Sequence, residues 1–191
     1  DCPSGTMYRC NSGYLFVPNE IKDNTVYSFS APTSAGKSFL LRDIIDKCEE
    51  DVVIIVPSRS LISEYLILLR EHYENNTEVL ILEFVDDINR AKTKRRIFVL
   101  TPERLIDLFR FEFKVELFIF DEAQLADDKK RGINFERIVK KCEKKYPESK
   151  KIFAHPFVEN PGAIYDKFNL HEDKISNSFN QRTVGKIYIL R

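Results

Sequence analysis

Two stretches of this 191-residue chain carry residue types that can act together on a phosphorylated ligand. The first is Ala31-Pro32-Thr33-Ser34-Ala35-Gly36-Lys37-Ser38. In a loop of this kind, between a strand and a helix, successive backbone N–H groups turn inward as an anion nest, and the positive end of the helix dipole reinforces it. Gly36 lets the backbone approach the phosphates closely. Lys37 can reach the β- and γ-phosphates as a point charge, and the Ser38 hydroxyl can coordinate magnesium. The expected ligand is a nucleoside triphosphate, ATP, with Mg2+. The general pattern for such loops begins with glycine, and Ala31 departs from it.

The second stretch, Leu117-Phe118-Ile119-Phe120-Asp121-Glu122, is an apolar run that ends in two adjacent carboxylates. Taken alone, such a pair after a strand is most often a helix N-cap followed by a first-turn acid, since both favour the dipole there. With a phosphate loop upstream the pair gains a second meaning. Asp121 would face the same crevice as Lys37 and hold the magnesium ion through its water shell, and Glu122 would accept a proton from the water attacking the γ-phosphate.

Both stretches need a sheet to bring them together, and the chain supplies one. Short runs rich in β-branched and aromatic residues recur at Val26–Ser30, Val52–Val56, Glu78–Phe84, Arg96–Leu100, Glu116–Phe120 and Lys151–Ala154. Between or after them, Ser38–Glu49, Arg59–Tyr73, Pro102–Phe109, Phe135–Tyr146 and Ala163–Phe168 have helical patterns. The alternation reads as βαβ units. Several runs are continuously apolar, as strands buried on both faces of a parallel sheet must be. The fold class is α/β, doubly wound, with a mostly parallel sheet and helices on both faces. The expected division is a lead-in segment over 1–25, a nucleotide-binding domain over 26–178, and a strand or linker over 179–191.

Composition agrees with one globular domain. The chain is 43% hydrophobic, 12% aromatic and 31% charged, and at this length about 70% of the unfolded surface can be buried without disulfides or metals. Lysine plus arginine balances aspartate plus glutamate at 30 each, so a nucleic-acid surface would have to be local. The lysine-rich stretch from Lys129 to Lys151 is interleaved with Glu136, Glu143 and Glu148 and reads as a solvated helix face. Cys2, Cys10, Cys48 and Cys142 have no metal-knuckle spacing and read as reduced thiols. No stretch has the apolar length of a membrane span, and the first residues lack the basic and apolar regions of a signal peptide, so an intracellular, cytoplasmic location is expected.

The ordered motifs resemble those of the first RecA-like domain of superfamily 2 helicases and translocases. Ala31 to Ser38 is similar to helicase motif I, often A-P-T-x-x-G-K-[ST], where an initial alanine is ordinary. Asp121-Glu122-Ala123-Gln124 resembles motif II, the DEAD/DEAH box. Val56-Pro57-Ser58-Arg59-Ser60-Leu61 resembles motif Ia, and Leu100-Thr101-Pro102-Glu103-Arg104-Leu105 resembles motif Ib. In that family both segments touch the backbone of one nucleic-acid strand, which implies contacts from Pro57, Ser58, Arg59, Thr101, Pro102 and Arg104. Hydroxyls, free N–H groups at helix starts and arginines all suit phosphates. Without the resemblance each segment is a strand-to-helix turn capped by Ser58 or Thr101, and Arg59 can equally brace its own loop.

The likeness weakens at motif III, where S-A-T is usual and His155-Pro156-Phe157 stands instead. The resemblance implies a coupling contact there, for which the Gln124 amide and the His155 imidazole are candidates, since each can donate and accept. The other reading of His155 is a histidine that packs at a strand end. No glutamine-containing adenine motif precedes the loop. The resemblance also implies a second RecA-like domain that supplies an arginine finger; residues 180–190 look like the strand leading toward it. The chain is therefore expected to be part of a longer helicase, and to bind ATP–Mg weakly and turn it over slowly by itself. A duplex translocase that does not separate strands, and a nucleotide-dependent binding module, are the alternative functions.

Overall fold

The computed structural model describes residues 5–10, 13–18, 26–30, 37–86, 95–124, 128, 132–156, 158, 160–168 and 174–178. Nine strands and five helices lie within these residues: β1 Gly5–Cys10, β2 Gly13–Pro18, β3 Val26–Ser30, α1 Lys37–Asp46, β4 Asp51–Ile55, α2 Arg59–His72, β5 Val79–Leu82, β6 Arg95–Leu100, α3 Pro102–Leu108, β7 Val115–Phe120, α4 Gly132–Lys145, β8 Lys150–His155, α5 Ala163–Phe168 and β9 Lys174–Ser178.

Seven strands form one sheet in the order β5-β6-β4-β7-β8-β3-β9, and every neighbouring pair is parallel. Parallel neighbours require crossover helices, and those helices bury both faces. Alternation along each strand then sorts side chains into two cores. Val52, Ile54, Ile97, Val99, Leu117 and Ile119 pack against α1 and α2. Their neighbours Val53, Ile55, Phe98, Leu100, Phe118 and Phe120 pack against α3, α4 and α5. In the second core the Phe120 and Phe153 rings stack with centroids 4.8 Å apart.

Helix starts follow local chemistry. Ser58 caps α2 by accepting from Leu61 N–H at 3.3 Å. Thr101 caps α3 by accepting from Arg104 N–H at 3.4 Å, with Pro102 in the first turn, where a missing N–H costs nothing. All six expected strands and all five expected helices are present, with ends shifted by a few residues.

Three features differ from expectation. The lead-in segment contains an antiparallel hairpin, β1 with β2, in register from Gly5↔Pro18 to Cys10↔Gly13. A seventh parallel strand, β9, pairs with β3, although its sequence Lys-Ile-Ser-Asn-Ser has no apolar run; backbone pairing at a sheet edge needs none. Finally, the lysines of α4 are solvated, but beyond the helix Lys151 of β8 is fully buried. Its ammonium donates to Ser149 O at 2.9 Å and lies 3.4 Å from Glu143. Residues 179–191 lie outside the described residues. Among the described cysteines, Cys48 and Cys142 are free and buried, and burial pushes the Cys48 thiol up to about 12.

Candidate active site

The parallel register levels the carboxyl ends of the central strands. Ile55 of β4 pairs with Leu100 of β6 on one side and with Phe120 of β7 on the other. The segments starting at Val56, Thr101 and Asp121 therefore emerge side by side, tied by Val56 N–H to Leu100 O and Asp121 N–H to Ile55 O, both 2.9 Å. This carboxyl edge is where open α/β sheets bind ligands.

Lys37, the first residue of α1, reaches across to the end of β7. Its Nζ lies 3.6 Å from Asp121 Oδ1 and 3.6 Å from Glu122 Oε1, and the Lys37 and Asp121 side chains are each only 8% exposed. Asp121 Oδ1 also accepts from Glu122 N–H at 2.9 Å, and Oδ2 accepts from the Tyr65 hydroxyl at 2.8 Å. Burial, and then the Asp121 charge, raise the Tyr65 phenol well above its ordinary range, so it remains a donor. Glu122 has a φ of 55°, a left-handed backbone uncommon outside glycine and typical of functional turns. Its Oε2 accepts from Gln124 Nε2.

Lys37, Tyr65, Asp121 and Glu122 line one cavity of ≈ 180 Å³ together with Ser38, Leu61, Glu64 and Leu68. Three carboxylates face one ammonium there, so the lining calls for a cation. Its oxygen donors, two adjacent carboxylates and a serine hydroxyl, suit magnesium rather than a softer metal. Among the described residues no group of three His, Cys, Asp or Glu could hold a metal unaided.

The other expected site residues are distributed as follows. Ala31, Pro32, Thr33, Ser34, Ala35 and Gly36 lie outside the described residues, so the loop enters the structure only at Lys37 and Ser38. The Ser58 and Thr101 hydroxyls act as helix caps. Arg59 is exposed on the first turn of α2. Arg104 is engaged within the fold: Nη1 donates to Glu83 O at 2.9 Å, and the guanidinium lies 4.0 Å from the centre of the Phe84 ring.

Gln124 and His155 are not brought into a hydrogen bond with each other. Gln124 donates to Glu122, whereas His155, buried at the end of β8, lies 3.1 Å from Ser28 Oγ. The Ser28 hydroxyl gives its single proton to Pro161 O at 2.7 Å, so it accepts from His155, which must carry its proton on Nε2. Sequence reasoning missed Tyr65. It shares a helix face with Ile62, Leu66 and Leu69, and that pattern cannot be told from a core aromatic.

Fold and site together define a RecA-like α/β domain with a cation-seeking acidic corner at its carboxyl edge. The model of the DEAD/DEAH box helicase family matches residues 17–155, and the chain belongs to that family. Among solved structures it is similar to the helicase domain of Hef from Pyrococcus furiosus, with a TM-score of 0.57 and 19% identity, over 82% of this chain and 35% of that one. The chain thus spans about a third of the Hef chain, and the likeness is one of fold. No curated protein matches the sequence. No helix among the described residues is long and apolar enough to cross a membrane.

Proposed function

We propose that this domain is the ATP-binding and hydrolysing half of a nucleic-acid helicase. The observation that carries the reading is the position of Lys37 Nζ, 3.6 Å from both Asp121 and Glu122 in one cavity with Ser38. A lysine held by carboxylates at a distance longer than a hydrogen bond is poised to exchange them for phosphate oxygens.

In this reading the loop from Ala31 to Gly36 cradles the phosphates with its N–H groups, which every residue but Pro32 has. Lys37 binds the β- and γ-phosphates, and Ser38 and Asp121 hold magnesium. When bound, the metal neutralises charge on the β- and γ-oxygens. Glu122 takes the proton of the attacking water, and Gln124 fixes the plane of its carboxylate. A nucleic-acid strand would cross the adjacent starts of α2 and α3, over Pro57, Ser58, Arg59, Thr101, Pro102 and Arg104. A second RecA-like domain would complete the engine with an arginine finger, worth about 10³ to 10⁵ in rate.

Lys37→Ala is expected to abolish nucleotide binding by this chain, and Glu122→Gln to retain it. In the complete protein Glu122→Gln should lose hydrolysis by about 10² to 10⁴. Equal loss of binding in both variants would refute the assignment of Glu122 as the base. Strand displacement measured beside ATP hydrolysis in the complete protein separates a helicase from a duplex translocase, which would hydrolyse without displacing, and from a binding module, which would do neither.

A further inference from the structure

Tyr65 is the cavity residue that the motifs leave without a role. It stands six residues after Arg59 on α2, about 9 Å along the helix axis at 1.5 Å per residue. Its side chain is buried, and its hydroxyl donates to Asp121 Oδ2 at 2.8 Å.

The terminal torsion of an aspartate is broad, so contacts rather than rotamer preference must set the plane of the carboxylate. Asp121 has one contact on each oxygen that does this. Oδ1 takes the Glu122 N–H from its own turn, and Oδ2 takes the Tyr65 hydroxyl from α2. A phenol has one proton and acceptor capacity on its oxygen. With the proton committed to Asp121, the hydroxyl oxygen keeps acceptor capacity, and Tyr65 is among the residues that line the same cavity as Ser38 and Lys37.

We propose that Tyr65 is a positioning residue for the hydrated divalent cation of this site: its hydroxyl pins Asp121 through Oδ2 and offers its own oxygen to a metal-bound water. This rests on the reading that Asp121 receives the cation. It adds a link that the motifs do not contain, because α2 begins at the segment proposed to meet the nucleic-acid strand. The competing explanation is a core tyrosine whose hydroxyl is merely satisfied by the nearest acceptor. That role predicts a loss of general stability and no selective effect on the metal.

The test is the affinity of this chain for a fluorescent ATP analogue, measured in a Mg2+ series and in EDTA, for the wild type, Tyr65→Phe and Asp121→Asn. The quantity of interest is the ratio of affinity with Mg2+ to affinity in EDTA, which a general loss of structure would not change selectively. Loss of an outer-shell partner costs about 10- to 100-fold in metal affinity, so Tyr65→Phe is expected to lower the ratio about tenfold. Asp121→Asn should collapse it. An unaltered ratio in Tyr65→Phe beside a collapsed one in Asp121→Asn overturns the role of Tyr65 and leaves Asp121 as the cation ligand. A wild-type ratio indifferent to Mg2+ and to Asp121→Asn overturns both.

A second measurement follows Tyr65 directly. With fluorotyrosine incorporated throughout, the Tyr65 resonance, identified by its absence in Tyr65→Phe, should shift when Mg2+ is added to the nucleotide-bound chain. It should stay still on the same addition to Asp121→Asn. A resonance unmoved by Mg2+ in the otherwise wild-type chain would count against the proposal even if the affinity ratio fell.

Discussion

The two edges of the central sheet treat their charges in opposite ways. At the amino edge the main ionic contacts are short and multiple. Asp51 Oδ1 accepts from Arg96 N–H at 2.8 Å and Nε at 3.1 Å, and Arg96 Nη2 lies 3.0 Å from Oδ2. Glu116 accepts from the N–H groups of Glu49 and Glu50 at 2.8 and 3.0 Å and meets Lys150 at 2.9 Å. Arg95 donates to the carbonyls of Ile45 and Cys48 at the end of α1 and to the Tyr73 hydroxyl. At the carboxyl edge the central ammonium stands 3.6 Å from each of two carboxylates beside a cavity, next to a strained backbone. One edge is held mainly by pairs within the fold, and the other borders a cavity. Buried charges cost free energy unless paired and hydrogen-bonded, so an incompletely paired cluster persists where something else is meant to complete it.

Breaking one aspartate at each edge tests this contrast most directly. Asp51→Ala removes the carboxylate that meets Arg96, and removing one member of a buried pair costs about 3 kcal/mol or more. For a domain of this size that lowers Tm by about 6 to 12 °C, while nucleotide affinity should be unchanged. Asp121→Asn removes like-charge repulsion with Glu122 and should leave Tm within about 2 °C, a difference of under 1 kcal/mol, while Mg2+-dependent nucleotide binding falls by about a hundredfold. Thermal melts and nucleotide titrations on the two variants check both halves. If Asp121→Asn melted like Asp51→Ala, the carboxyl edge would be as structural as the amino edge.

A smaller effect is expected where the carboxyl edge meets the proposed strand. Arg59 is exposed, so Arg59→Ala should weaken single-strand binding by the complete protein several-fold, about 1 kcal/mol, with a shallower salt dependence. Arg104 is held by Glu83 and Phe84, so Arg104→Ala should lower Tm as well as strand affinity. Identical behaviour of the two arginines would remove that distinction.

The smallest effect concerns acid. Burial pushes the Glu116 carboxyl up, but the amides of Glu50 and Glu49 and the Lys150 ammonium outweigh it, and the group lies below its usual 4.5. A depressed folded-state value contributes stability that is present above pH 4.5 and lost as pH falls through the folded value. Glu116→Gln should therefore flatten the fall in Tm below pH 4.5. Asp51 has the opposite sign, because burial outweighs the Arg96 contacts and raises it above 3.8, so its contribution declines as pH rises through that range. A Glu116→Gln acid melt parallel to the wild type would show that this corner of the amino edge is not tuned for the carboxylate.

Much of this was legible in the sequence. Apolar runs such as Val52–Ile55 and Leu117–Phe120 read as doubly buried strands. Ser58, Thr101 and Pro102 marked their helix starts, and the order of the motifs pointed to the family. Those signals act within a few residues, where propensity, capping and burial are decided locally. Tertiary structure alone decided what meets what. The hairpin Gly5–Pro18 and the edge strand Lys174–Ser178 depend on backbone pairing that leaves little trace in side-chain pattern. Gln124 and His155 read as candidates for one coupling contact, but the register of β7 and β8 and the Ser28 hydroxyl of β3 directed them to different bonds. Tyr65 read as core because its ring is core; only the crossing of α2 over the end of β7 brings its hydroxyl to Asp121. The chain carries the chemistry of its carboxyl edge in its residue types, and the packing of distant elements fixes which atoms of those residues face the cavity.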